Sequence, residues 1–307
     1  MITQTTVKKR INQLVDQDNS DEKHFDAYYD SALLFIRDHL TQFYSHYAKE
    51  NNLSIAETRS MVDKWGINQW KQAILQCDAS NWGNNATDRV KAYTALAYQR
   101  RYQLMFALIG LGIVDMTAKI EKFTQQNLIS DISSQTKWLH STMNLNFNQG
   151  NVQTIVNNSE NSSIWSDRLW INADDLASDV QKLVSKHLRH GMTLDDLNQT
   201  LSKHVNTKQF KPNQNISDRI NIAEYNARRL VQTESSRVVN QVNLVTFKQL
   251  GGKQVDVVNQ PGACSKCASI ADNGPYDISD CPDIPGDTHP FCRCFYVMVN
   301  LLNKVSS

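Results

Sequence analysis

The sequence predicts a mainly α-helical protein that ends in a small α+β module built around cysteine and histidine residues. Three observations support this fold class. Apolar residues recur at spacings of three and four along most of the chain before Leu250, which is the period of an amphipathic helix. No proline precedes Pro212, and five of the six prolines lie between Pro261 and Pro290. Five of the six cysteines lie in the same C-terminal region.

The bulk composition predicts a soluble protein of two domains, which we place at residues 1–163 and 164–307. The formal net charge is +1, so broad electrostatic binding to nucleic acid or to a membrane is not expected. The N-terminal residues lack the apolar run of a signal peptide. Residues 104–114, the most apolar stretch, are fewer than the roughly 20 that span a membrane, so we expect a buried helix there. In the reducing cytosol that this implies, clustered cysteines more often bind metal than form disulfides.

Periodic apolar residues predict the first two helices. A second helix is expected to begin at Ser54, with Glu57 completing a capping box, and to end before Asn81. The first helix carries seven large apolar residues on one face, for which we expect ordinary helix packing rather than a functional site. This stripe consists of Phe25, Tyr29, Leu33, Ile36, Leu40, Phe43 and Tyr47.

A long central helix is expected over residues 88–126, kinked at Gly110 and Gly112. Residues 127–163 contain two asparagine-rich pieces, at 144–151 and 157–163, which are expected to form loops between shorter helices.

Residues 174–189 are again helical in pattern, and residues 190–197 resemble a helix end followed by a Thr-capped helix start. Two helices joined so tightly could form a helix-turn-helix. The second helix, residues 194–205, offers only Lys203 and His204 as bases, which disfavours DNA reading.

A further helix is expected from Ser217 to about Leu250, ended by the two glycines that follow. Glu234 interrupts its apolar stripe. A buried carboxylate is costly unless it is paired and hydrogen-bonded. We favour a structural glutamate that is satisfied by an arginine or by backbone amides; the alternative is a functional acid.

The residues after this helix form the predicted α+β module. Strands are expected at residues 254–258 and 292–299, with turns rich in Pro, Gly and Asp between them. Two short strands cannot bury much surface alone, so the module needs a staple.

The cysteines and one histidine supply that staple. Cys264 and Cys267 form a Cys-x-x-Cys turn, and His289 with Cys292 forms a second turn of the same spacing. We favour these four as zinc ligands, with Cys294 as the substitute for His289. Cys292 and Cys294 could also chelate together, but alternate residues of a flat strand point to opposite faces.

Four protein ligands would close the coordination sphere and make the site structural, whereas three ligands and a water would permit metal-assisted hydrolysis. Cys281 lies among acidic and proline residues and is a weaker candidate. The alternative to a metal site is a set of small buried thiols, or of disulfides formed after release from the cell.

The C-terminal region contains a series of short motifs that together carry a resemblance to a known family. The motifs are Leu230-Val231-Gln232-Thr233-Glu234, Arg237-Val238-Val239-Asn240, Gly251-Gly252, Cys264-x-x-Cys267 and His289-Pro290-Phe291-Cys292-Arg293-Cys294. With them, residues 174–299 resemble the minor head (head morphogenesis) proteins of tailed bacteriophages, of the Mu F type. The helical first half is similar to minor capsid proteins of phages of Gram-positive bacteria. Gln232 stands where the family usually has Arg, and Cys281 is an addition to the pattern.

The resemblance implies a structural virion protein rather than an enzyme. Family members enter the phage head in few copies, near the portal, and take part in head assembly and in DNA packaging or ejection. The implied partners are the portal, scaffold or major capsid protein, with the packaged DNA as a further candidate and no membrane. The protein would be made in the host bacterial cytoplasm. The metal would staple the fold, with Glu234, Arg237 and Arg293 as structural anchors and Glu234 paired with Arg293.

Two other functions remain open. A metal-dependent nuclease or hydrolase with a helical targeting body would use His289, Asp287 and Glu234 as its acid–base set. We find no Gly-rich phosphate loop, nucleophile elbow or His-Glu-x-x-His motif in the sequence. A DNA-binding module would use a local basic patch, made of Lys182, Lys186, His187, Arg189 and His190.

Overall fold

Helices form most of the protein in its computed structural model. The predicted fold class, mainly α with a small C-terminal α+β module, is confirmed. The structure describes residues 2–48, 53, 55–157, 164–189, 193, 195, 199, 216–299 and 302–303. In this part the α-helices are α1 (Gln4–Tyr47), α2 (Ile55–Arg59), α3 (Lys64–Gln76), α4 (Asn84–Ala97), α5 (Arg101–Met143), α6 (Val152–Asn157), α7 (Trp165–Arg189), α8 (Ile216–Gln249) and α9 (Ser265–Asp272).

The described strands form two small sheets. The strands are β1 (Ile2–Thr3), β2 (Gln254–Val258), β3 (Tyr276–Asp277), β4 (Phe295–Met298) and β5 (Leu302–Asn303). The first sheet is a parallel pair of β1 and β5, which joins the two ends of the chain. The second has the order β3-β2-β4 and is antiparallel, with Val258 opposite Phe295.

The strand predicted at residues 254–258 is confirmed, but the second strand begins at Phe295 rather than at Cys292. The reason is that backbone groups before Phe295 are engaged elsewhere. The N–H of Arg293 donates to the side-chain oxygen of Gln260 at 2.8 Å, and the N–H of Cys294 donates to Sγ of Cys292 at 3.4 Å.

The chain divides into two compact units, each built from separate stretches of sequence. Unit 1 comprises Met1–Lys23, Phe123–Trp165 and Arg228–Ser307. Unit 2 comprises His24–Lys122 and Ser166–Ala227. The domain boundary predicted from the sequence at residue 163 stays a prediction.

The aromatic and aliphatic stripe of α1 forms much of the core of unit 2. All seven of the predicted stripe residues, from Phe25 to Tyr47, are buried. Ile36 and Leu40, at the centre of the stripe, are fully buried. The predicted packing face of this helix is therefore confirmed.

A short antiparallel bridge breaks two of the predicted helices in unit 2. Met61 pairs with Arg100, and the backbone N–H of Arg101 donates to the carbonyl oxygen of Ser60 at 3.0 Å. The helix predicted from Ser54 is therefore split into α2 and α3, and the predicted central helix is split into α4 and α5. Helix α3 begins directly after Asp63, which is its N-cap residue.

Gly110 and Gly112 allow aromatic rings of neighbouring helices to pack closely against α5. Helix α5 continues through both positions. A Cβ at Gly110 would lie 2.2 Å from the ring of Tyr93, and one at Gly112 would lie 2.9 Å from the ring of Phe35. Close packing in unit 2 therefore accounts for these glycines.

Helix α5 also extends to Met143, beyond the end predicted near Gln126, and the loop predicted from Asn144 begins directly after it. Leu128, Ile132 and Leu139 fall at helical spacing and are buried, and this stripe outweighs the polar composition around it. Helix α5 is long and apolar enough to cross a membrane by length and composition alone, but 83% of its apolar window is buried inside the protein.

Helix α8 confirms the helix predicted from Ser217 to about Leu250, and it ends where Gly251 adopts a φ of 72°. The helix predicted at residues 174–189 begins earlier, at Trp165. Ser54 and most of the predicted helix-turn-helix lie outside the described residues. Among the side chains of the basic patch only that of Lys182 is described, and it is exposed.

The core of unit 1 joins the N-terminal residues to the C-terminal sheet. Trp138 of α5 stacks edge-on against Phe295 at a centroid distance of 5.5 Å. The buried cluster consists of Ile2, Val7, Ile11, Leu14, Val239, Val258, Phe295 and Val297. The α+β module is thus part of a larger core, with helices from three distant stretches of sequence.

Candidate metal centre

The first pair of candidate ligands lies at the start of a short helix. Cys264 is the N-cap residue of α9, and Cys267 lies in its first turn. Residues three apart share one side of a helix. Cys264 is exposed and Cys267 is fully buried. One sulfur of the pair therefore lies at the surface and the other in the interior of the module.

The second group of candidate ligands lies on a tight turn just before β4. The N–H of Cys292 donates to the carbonyl oxygen of His289 at 3.2 Å. Phe291, inside this turn, has a φ of 66°, a left-handed conformation that bulky residues rarely adopt. Cys292 and Cys294 follow, and both are fully buried.

All five predicted ligands converge on Cys267. One group contains Cys264, Cys267 and His289, and the other contains Cys267, Cys292 and Cys294; within each group the ligand atoms lie within 4.8 Å of one another. The Sγ atoms of Cys267 and Cys292 are 3.7 Å apart. Two thiolates bound to one tetrahedral zinc, each about 2.3 Å from the ion, lie about 3.8 Å apart. This Cys/His cluster can therefore hold a metal ion.

Cys294 belongs to the cluster, although the alternation of a flat strand predicted that it would point away from Cys292. That prediction was wrong because β4 begins only at Phe295, so the two cysteines lie on a turn. His289 and Cys294 both lie in the cluster, which offers five side chains for four tetrahedral positions. Cys281, the weaker candidate, is in neither group, and its thiol lies 3.8 Å from the carbonyl oxygen of Ile278.

The electrostatics of the cluster distinguish its thiols. Hydrogen bonding from the thiol of Cys294 lowers the pKa of Cys292 to about 5. The same bond raises the pKa of Cys294, and burial raises the pKa of Cys267 to about 12. The nearby backbone N–H of Cys267 lowers the pKa of the exposed Cys264 thiol. Cys292 and Cys264 are therefore the thiols most readily ionised for binding a cation.

The side chain of His289 is held in an orientation that suits a metal ligand. Its Nδ1 lies 2.6 Å from the carbonyl oxygen of Pro290. A carbonyl can only accept, so in the neutral form of the ring Nδ1 carries the proton and Nε2 is the nitrogen that can bind a metal. Ligating histidines are commonly oriented by such a bond from the other ring nitrogen.

All six cysteines are described, and all are free thiols.

Glu234 has the structural role that the sequence analysis favoured. It is buried, and its Oε2 lies 2.6 Å from Nε of Arg237. Arg237 in turn donates to the carbonyl oxygens of Ile155 and Val156, at 2.8 and 3.3 Å. Arg237 therefore connects α8 to the end of α6 by hydrogen bonds, and Glu234 pairs with its charge.

The predicted pair of Glu234 with Arg293 needs correction, because Arg293 binds another carboxylate. Its Nε donates to Asp18 of α1 at 2.8 Å, and its Nη2 donates to the second oxygen of the same carboxylate. Nη2 also donates to the hydroxyl of Ser235 at 2.9 Å. Arg293 thus does anchor the closing turn, but to α1 and α8 together.

Sequence reasoning missed the partners of the closing turn. Asp18 lies in a polar run of α1 and carries no pattern that singles it out. Asn240 of α8 donates to the carbonyl oxygen of Cys294 at 3.0 Å and accepts from the N–H of Tyr296 at 3.1 Å. The available signal was the segment Arg237-Val238-Val239-Asn240, which is quoted for the resemblance and contains Asn240.

No protein-family model, curated protein or solved structure matches this chain. Its interpretation therefore depends on the geometry above and on the residues quoted for the resemblance.

Proposed function

We propose that this chain is a structural minor head protein of a tailed phage, whose C-terminal module is stapled by one zinc ion. The observation that carries the proposal is the convergence of five ligand side chains on Cys267, within the motif that resembles the head-morphogenesis family. The proposed role is in head assembly and in DNA packaging or ejection near the portal.

Zinc suits the donors of this cluster. Thiolate and imidazole together favour zinc among the common biological cations, and they favour a tetrahedral arrangement. Cys264, Cys267, Cys292 and either His289 or Cys294 would provide a full set of protein ligands. Such a closed sphere contributes folding energy and leaves no position for a reacting water.

The partners of the closing turn support a structural role. Arg293 and the carbonyl oxygen of Cys294 both bind residues of the surrounding helices. These are packing contacts, as expected if the motif serves to hold the fold together.

The alternative, a metal-dependent nuclease or hydrolase, receives less support from the same geometry. Of its three proposed acid–base residues, Glu234 is buried against Arg237. Asp287 accepts a hydrogen bond from the backbone N–H of Asp283 at 2.8 Å. Both carboxylates therefore have structural partners within the described residues.

The test of the assembly role is the protein content of particles. Phage particles should be purified by density gradient from the cells that produce this chain, and the chain should be quantified by mass spectrometry against the major capsid protein. We expect a few copies in each particle. Presence in the lysate with absence from purified particles and from their head precursors would contradict the proposal.

A further inference from the structure

Arg293 is the one residue between the candidate ligands Cys292 and Cys294. Its side chain is not part of the cysteine–histidine cluster and binds Asp18 and Ser235 instead. The sulfurs of Cys292 and Cys294 both belong to the cluster, and both are fully buried. A displacement of these sulfurs beyond what side-chain rotation allows would therefore move the backbone from which the Arg293 guanidinium extends.

The guanidinium binds the N-terminal helix in a fixed geometry. Its Nε and Nη2 donate to the two oxygens of Asp18, in the fork-to-fork arrangement that is the strongest form of an arginine–carboxylate pair. The side chain of Arg293 is 3% exposed and that of Asp18 is 13% exposed. Breaking a buried pair leaves an uncompensated charge, so this contact strongly resists displacement.

A second set of hydrogen bonds connects strand β4, which directly follows this turn, to the same helix. Asn243 of α8 donates to the carbonyl oxygen of Tyr296 at 3.4 Å. The side chain of Asn243 accepts from Gln135 of α5 at 2.7 Å, and Gln135 accepts from Nε of Arg10 at 3.1 Å. Arg10 belongs to α1, so the strand that follows the metal turn is also joined to residues 4–23.

We propose that metal occupancy of the cysteine–histidine cluster and the packing of the N-terminal segment of α1 are thermodynamically coupled through the Arg293–Asp18 ion pair. With the ion bound, the turn of residues 289–294 holds the guanidinium against Asp18. Without the ion, the turn relaxes and the N-terminal segment loses its polar anchor. This inference rests on the proposed metal site but not on the proposed role in a phage particle.

The coupling is reciprocal. If the ion stabilises the docked segment by a given factor, docking must raise the affinity for the ion by the same factor. Removing a residue that orients a metal ligand typically weakens metal binding by about 10–100-fold. A substitution on α1, far from the cluster in sequence, should therefore weaken metal binding although it removes no ligand.

The experiment measures zinc affinity of the full, reduced chain by competition with a chromophoric chelator. We compare the wild type with Asp18→Asn and with Asp16→Asn, a control in which an exposed carboxylate of the same helix is neutralised. The expected result is a loss of about ten-fold or more for Asp18→Asn and less than about two-fold for Asp16→Asn. In parallel, zinc should slow amide hydrogen exchange in residues 7–22 of the wild type.

The outcomes separate the two proposals. A wild-type chain that binds no zinc overturns both the metal site and the coupling. Zinc binding that Asp18→Asn leaves within two-fold of the wild type overturns the coupling alone, as does unchanged exchange in residues 7–22. If Asp18→Asn does not yield folded protein, Asp18→Glu is measured in its place. This variant retains the negative charge but places the carboxylate one methylene group further from the backbone. Its affinity should lie below that of the wild type, and an equal affinity overturns the coupling.

Discussion

The α1 stripe of unit 2 and the closing turn of unit 1 are stabilised in different ways. The stripe consists of large apolar residues from one continuous helix, such as Ile36 and Leu40, and burial of their surface favours the packed state. The turn depends on a few polar and ligating atoms from distant parts of the chain, such as Asp18 with Arg293. The stripe should therefore tolerate single changes in proportion to buried volume, whereas the turn should respond sharply to the loss of particular atoms.

The largest expected effect comes from removing the sulfur that both ligand groups share. Cys267→Ser should abolish stoichiometric metal binding and the cooperative unfolding of unit 1, because a structural zinc contributes on the order of 10 kcal/mol of binding free energy. Elemental analysis and hydrogen exchange of residues 254–298 are the measurements. Cys281→Ser, a half-buried cysteine outside both groups, is the matched control and should retain the metal. Equal behaviour of the two variants would argue that the cluster binds nothing.

An intermediate effect is expected in the stripe of unit 2. Leu40 is 0% exposed and Leu34, on the same helix, is 48% exposed. Leu40→Ala should lower the free energy of unfolding by about 2–5 kcal/mol, whereas Leu34→Ala should change it by less than about 0.5 kcal/mol. Urea unfolding followed by circular dichroism measures both. Similar losses for the two leucines would show that the stripe is not the packing face.

A smaller effect should follow from pH and should be specific to the polar core of unit 1. Burial raises the pKa of Asp131 to about 6, although Arg293 and the hydroxyl of Ser235, which donates to this carboxylate, oppose the rise. A carboxyl group whose pKa is higher in the folded state contributes stability below its unfolded pKa, near 4, and that contribution is lost as pH rises through about 6. Its size is at most about 3 kcal/mol.

Asp131→Asn should remove this pH dependence. The difference in unfolding free energy between wild type and variant, measured in urea at several pH values, should change between pH 4 and 6 in favour of the wild type at the acidic end. Asp16→Asn should show no such change. A flat difference for Asp131→Asn would mean that the folded carboxyl titrates as it does in the unfolded chain.

The same contrast explains how much the sequence could predict. The α1 stripe, α8 and β2 follow local spacing rules, and the Cys-x-x-Cys and His-x-x-Cys spacings identified Cys264, Cys267, His289 and Cys292 as candidate ligands. The break between α4 and α5 could not be predicted in this way, because it depends on the pairing of Met61 with Arg100 across distant sequence. Local spacing also could not predict that Asp18 is the partner of Arg293, because the two residues are 275 positions apart in sequence. Many other carboxylates were equally plausible partners.

The place of Cys294 shows how one backbone detail alters a site. Alternation along a strand would have separated Cys292 from Cys294, but the hydrogen bond from the Cys294 N–H to Cys292 Sγ belongs to a turn instead. The exact start of β4 therefore decides whether four or five side chains belong to the candidate metal cluster. Strand boundaries are among the features that sequence patterns determine least well.

The central claim is that one metal ion staples the closing turn of unit 1. Its most direct test is elemental analysis of the full chain, purified under reducing conditions, together with hydrogen exchange of residues 254–298 before and after a strong chelator. We expect one equivalent of zinc for each chain and a loss of protection in this segment when the ion is withdrawn. Metal-free protein in which the segment is equally protected with and without added zinc would contradict it.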